Sequence, residues 1–145
     1  MQPLPHHYLV TATGAATGRV TLSHQGVPSL ESSPPPEFGG PGDAWSPEGL
    51  LVAAVADCFI LTFRAVSRAS KLEWSDLEVR VSGSLERRDG VTAFTGFELL
   101  ARLGIGPDVD PTLAHAALER AERGCLISNS LKGPVHLKAE LAVTA

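Results

Sequence analysis

The chain has 145 residues, with 12 basic and 16 acidic side chains and a formal net charge of -4. That length fits one domain, 1–145, with a real core, and the acidic balance offers neither a basic patch for nucleic acid nor a polybasic membrane anchor. The start, MQPLPHHYLV, lacks the basic start and apolar core of a signal peptide, which predicts a cytoplasmic protein.

His7 to Thr13 reads as a strand with β-branched and aromatic content. Gly14 and Gly18 bracket a turn, and Arg19 to Ser23 reads as a second short strand. The Gln25-Gly26 pair predicts a tight turn into a third strand around Val27 to Glu31. Ser32 to Asp43, SSPPPEFGGPGD, is a loop by composition, stiffened by prolines and bent by glycines. It has no GK[ST] sequel, so it is not a phosphate loop. Its place before the next element suggests a lid with Phe38 and Trp45 as apolar lining, against the plainer reading of a surface connection.

Ser46 to Phe63, SPEGLLVAAVADCFILTF, is the stretch around which the rest is arranged. Ser46 is a good N-cap and Pro47 suits the first helical position. Leu50, Leu51, Val52, Ala53, Ala54, Val55, Ala56, Phe59, Ile60 and Leu61 surround the helix, which predicts a buried one ending near Ser70. Asp57 interrupts the run and Glu48 and Arg64 bracket it, short of the ~18 uninterrupted apolar residues of a membrane span.

Leu77, Val79, Val81 and Leu85 then alternate with polar residues, turn at Arg88-Asp89-Gly90, and return through Phe97, Leu99, Ala101 and Leu103 as a hairpin. Pro107 to Pro111 breaks the chain. Asp110 caps a second helix striped by Leu113, Ala116, Ala117, Leu118 and Ala121, with Gly124 as its stop. A last strand points Val135, Leu137, Ala139, Leu141 and Val143 inward. The order predicts an α+β domain with a largely antiparallel sheet, a buried central helix and a second helix. The second helix is too short to cover the whole apolar surface of the first, which predicts a homodimer with the helices central.

For chemistry, His6, His7, His24, His115 and His136 show no metal-ligand spacing, and no GxSxG elbow exists. The two cysteines, Cys58 and Cys125, are too few for a disulfide framework; in a reducing compartment they are free, catalytic or redox-active. Cys58 is core filler or nucleophile on residue type alone. It lies two turns or more inside its helix, beyond the reach of the helix dipole, so a reactive thiolate needs a cation from elsewhere. Arg19, the one positive charge before Arg64, is the candidate.

Three segments carry a resemblance. They are Ser46-Pro47-Glu48-Gly49-Leu50-Leu51, then Asp57-Cys58-Phe59, then Gly124-Cys125 followed by Ser128-Asn129. On these the chain resembles the OsmC/Ohr family, the osmotically induced protein C and organic hydroperoxide resistance proteins, along nearly its whole length. The resemblance implies the OsmC-like fold as an intertwined homodimer and a thiol peroxidase acting on organic hydroperoxides. Cys58 matches the peroxidatic cysteine and Cys125 the resolving one, which implies an intramolecular Cys58–Cys125 disulfide. Arg19 matches the arginine that holds the thiolate, and Glu48 the glutamate that orients that arginine. No cofactor or metal is implied, only an external dithiol reductant such as a lipoyl protein. Phe38, Trp45, Phe59 and Phe63 are the candidate lining of an apolar substrate pocket. Glu48 and Cys58 stand roughly 15 Å apart along one helix, so a shared site needs Glu48 from the partner subunit. Three departures are Leu126 after Cys125, where many members have proline, Asp57 before Cys58 in place of a small residue, and the long, proline-rich loop Ser32 to Asp43. The alternative is a non-enzymatic dimer of this fold that binds a small apolar or thiol ligand.

Overall fold

Three short strands open the chain in the computed structural model, which describes residues 1–144 and divides into two compact units, Met1–Leu51 and Val52–Ala145. In the first unit β1 (Thr11–Thr13), β2 (Val20–Ser23) and β3 (Leu30–Ser32) pair antiparallel in that order. The sequence predicts a strand from His7, but the ladder begins only at Thr11. His7 to Val10 are exposed, and the His24 ring Nδ1–H donates to the Leu9 carbonyl at 2.8 Å, a side-chain bond in place of a ladder. The third strand starts later than Val27 because Gly26 sits at φ 84° and extends the turn.

The proline-rich loop is folded locally. Pro36–Phe38 forms a single 3-10 turn, and the Ser33 N–H donates to the Trp45 carbonyl at 2.9 Å to close the base. A Cβ at Gly40 would collide with the Pro34 carbonyl, so this chain reversal requires glycine.

The central helix α1 is Pro47–Ala69. Ser46 caps it: its Oγ accepts the Gly49 N–H at 3.0 Å, and its carbonyl accepts the Leu50 N–H at 2.8 Å. Lys71 at φ 55° ends it, with the Leu72 N–H donating back to the Ser67 carbonyl at 2.9 Å. One chain buries a single stripe of α1, Val55, Phe59, Phe63 and Ser67 at a spacing of four. Leu61, on another side, is 53% exposed. By length and composition α1 is also apolar enough to cross a membrane, with a mean hydropathy of 1.9 in its most apolar window.

In the second unit β4 (Leu77–Arg88) and β5 (Val91–Ile105) form the hairpin, turning at Asp89 (φ 51°) and Gly90 (φ 78°). β5 leads to α2 (Pro111–Gly124), whose Asp110 cap accepts the Thr112 N–H at 2.9 Å. A short helix α3 (Leu126–Asn129) follows, and β6 (Val135–Val143) closes the sheet in the order β4-β5-β6. β6 runs parallel to β5, with Leu99 opposite Leu137 and Ala101 opposite Ala139. The crossover through α2 makes that direction possible. The sheet is thus mixed, antiparallel except for its last pair. Val55, Phe59 and Phe63 meet Leu99, Ala101, Leu103 and Ile105 and the Ala114, Ala117, Leu118 and Ala121 face of α2 in one core.

Candidate active site

The spacing that packs α1 also aims Cys58. Phe59 takes the buried stripe, and Asp57, about 100° round the helix from Cys58, is exposed. Cys58 falls between them and is half-buried. Its backbone carbonyl accepts a 2.7 Å hydrogen bond from the Thr62 hydroxyl one turn on, and its Sγ lies 3.9 Å from the same oxygen. Cys125 sits where α2 stops and α3 starts, fully enclosed, its carbonyl accepting the Asn129 N–H at 3.0 Å. Both cysteines are free thiols, and Cys58 is near enough to act on the Cys125 thiol.

Burial pushes the Cys125 thiol up from its ordinary value of 9.0. The hydroxyl and backbone N–H of Ser128 oppose that push by favouring the thiolate, while the neighbouring Cys58 adds to it. The outcome is an enclosed thiol that keeps its proton at neutral pH beside a more accessible neighbour.

Arg19 and Glu48 belong to the first unit. Arg19 Nη1 lies 3.3 Å from Glu31 Oε2, and Nη2 lies 3.0 Å from Asp43 Oδ2, so two carboxylates absent from the sequence reading hold this guanidinium. Glu48 makes no bond to Arg19. Its Oε2 is buried without a hydrogen-bond partner, as is Ser33 Oγ. Both residues line an apolar cavity of about 300 Å³ with Phe38, Val20 and Pro35. Phe38, at 61% exposed, lines that cavity, whereas Trp45 lines a different hollow with Ser46 and Gly49. Phe59 and Phe63 correct the expectation of a pocket lining. Both are fully buried on the α1 stripe that faces the sheet, and Phe63 meets Trp74 edge to face at 5.3 Å.

The sequence reading also passed over Thr62, and took Ser128 only as part of the family pattern and not as a neighbour of the Cys125 sulfur. The signal was present in both cases, because positions four after Cys58 and three after Cys125 return to the same side of a helix. Among the described residues no group of three His, Cys, Asp or Glu side chains is placed to hold a metal ion.

Comparison with known proteins gives three results of one kind. A family model described as OsmC-like protein matches residues 40–140. The uncharacterized protein YmaD of Bacillus subtilis is 34% identical over 114 residues, 75% of each chain. Two solved structures share the fold. An OsmC-like protein of unknown function from Vibrio cholerae aligns with a TM-score of 0.84 at 18% identity, over 93% of this chain and 99% of that one. An organic hydroperoxide resistance protein OsmC from Legionella pneumophila aligns with a TM-score of 0.75 at 27% identity, over 97% and 100%.

Proposed function

The chain belongs to the OsmC-like protein family, and from that premise we propose that it is a cysteine-based thiol peroxidase that reduces organic hydroperoxides in peroxide defence. The observation that carries the reading is the neighbouring pair of free thiols, one half-buried and one enclosed. The organic hydroperoxide resistance for which the Legionella pneumophila protein is named supports the substrate class.

In this reading the Cys58 thiolate attacks the distal peroxide oxygen. The O–O bond breaks, the alkoxide leaves and takes a proton to become the alcohol, and Cys58 becomes a sulfenic acid. The Cys125 sulfur then attacks Cys58, expelling hydroxide, which takes up a proton to leave as water. A disulfide forms, and an external dithiol, a dihydrolipoyl protein being the type expected, returns both thiols by exchange. The sum is one hydroperoxide and two thiols giving one alcohol, one water and one disulfide. No cofactor enters these steps.

Arg19 is assigned to polarising the peroxide and supporting the thiolate. Glu48 is assigned to orienting an arginine across a homodimer interface, and its unpartnered Oε2 supports that assignment. The open sides of α1, Leu61 among them, support burial against a second copy. The protein so read works in the cytoplasm.

The test is intact-protein mass spectrometry after one equivalent of an alkyl hydroperoxide. A loss of two hydrogens, mapped to a Cys58–Cys125 bond and reversed by a dithiol, is expected. Two free thiols in a folded protein would overturn the reading in favour of a ligand-binding dimer.

A further inference from the structure

Thr62 donates its hydroxyl proton to the Cys58 carbonyl at 2.7 Å, an ordinary O–H···O length, and the same oxygen stands 3.9 Å from Cys58 Sγ. A threonine hydroxyl carries one proton. While that proton is on the carbonyl, the oxygen can only accept from sulfur, so this arrangement suits the protonated thiol. Ionisation reverses the demand, because a thiolate accepts and does not donate. The hydroxyl rotor meets it without moving a heavy atom, by turning its proton from the carbonyl to the sulfur. The carbonyl keeps the backbone N–H bond of α1.

The other face of the side chain is turned to the second cysteine's segment. Its Cγ2 points at Gly124, where an added Cβ would stand 3.6 Å away. Exchanging methyl and hydroxyl would take the oxygen away from Cys58 and turn it toward the chain just before Cys125. Thr62 therefore stands between the two cysteine segments with its polar face toward one and its methyl toward the other.

We propose that Thr62 is a positioning residue for Cys58, its O–H bond turning from the Cys58 carbonyl to the Cys58 sulfur as the thiolate forms. The proposal rests on the peroxidase reading for its purpose, a thiolate ready for peroxide, but not for its test. The test is the rate of Cys58 alkylation by iodoacetamide as a function of pH, read by peptide mapping so that Cys125 is counted separately.

Thr62→Val keeps the shape and the methyl and removes the hydroxyl. Its alkylation midpoint is expected to move up by on the order of half a pH unit, the scale of a long charge-assisted hydrogen bond. Thr62→Ser restores the hydroxyl and is expected to follow the wild-type profile. Thr62→Ala gives the same readout as valine if the larger side chain disturbs the helix. A profile for valine and alanine that superimposes on wild type, or that moves down, overturns the proposal. Alkylation needs no turnover, so the two readings fail separately. A shifted profile in a protein inert to hydroperoxide sinks the peroxidase and keeps Thr62, and an unshifted profile in an active one does the reverse.

Discussion

Cys58 is half-buried beside a Cys125 that has no exposure at all. Reagents and substrates reach the first sulfur before the second. Cys58→Ser is therefore expected to lower hydroperoxide consumption at least ~100-fold while costing about 1 kcal/mol or less of stability, since the isostere stays outside the core. Cys125→Ser is expected to complete one turnover and stop as a sulfenic acid that oxidises further with excess peroxide. Consumption assays beside mass spectra of each variant check both outcomes. Equal activity in Cys58→Ser and wild type would remove Cys58 from the chemistry.

Burial of Cys125 sets a pH dependence with a definite sign. Its thiol is pushed above 9.0, so at neutral pH the attacking thiolate is scarce and its fraction grows about tenfold per pH unit. Closure of the disulfide from the sulfenic acid is expected to accelerate by that factor between neutral and mildly alkaline pH, read by quenched mass spectrometry.

The same shift links to stability. Above 9.0 the unfolded chain releases the Cys125 proton while the folded chain retains it, so the folded state binds more protons. The contribution is fully present below that value and is lost as pH rises toward and through the folded one. Urea unfolding across this range should show a steeper alkaline decline for wild type than for Cys125→Ala. Parallel declines would mean that burial is not the cause.

Phe63 and Phe38 separate core from loop. Phe63 is fully buried in the core that also holds Leu99 and the α2 alanines, and meets Trp74 at 5.3 Å. Phe63→Ala is expected to cost about 3–5 kcal/mol through lost transfer energy and a cavity. Phe38 is 61% exposed, and Phe38→Ala is expected to cost within about 0.5 kcal/mol, with any effect appearing instead in the preference for bulky over small hydroperoxides. Denaturation midpoints and a substrate series separate the two roles.

Local signals carried most of the element reading. Ser46-Pro47 and Asp110-Pro111 placed both long helix starts, and alternation from Leu77 to Leu103 placed the hairpin, because caps and periods are written within a few residues. The parallel pairing of β6 with β5 was not legible, since Val135 to Val143 alternates identically in either direction. Four residues, Leu126–Asn129, show no period, so α3 escaped as well. The site divided along the same line. The cysteines stood out as residue types. Phe59 and Phe63 looked like pocket lining only because sequence alone does not say which stripe of an all-apolar helix meets the sheet.

Arg19 gives the sharpest separation of stability from function. Its side chain is 41% exposed and its partners Glu31 and Asp43 are 58% and 62% exposed. Solvent-screened ion pairs of this kind are worth about 0–1 kcal/mol, so Arg19→Ala should unfold almost with wild type. If the guanidinium supports charge developing on the peroxide, the same change should lower the single-turnover rate by about 10²–10³. Arg19→Lys keeps the charge but not the planar fork and should recover little of it. Glu48→Gln removes a carboxylate whose Oε2 is buried and unpartnered, so stability should hold or rise while turnover falls. Chemical denaturation and single-turnover kinetics on one preparation of each variant decide the matter. Loss of stability and rate together would make Arg19 a structural tie of the N-terminal unit, whereas loss of rate alone places it in the chemistry.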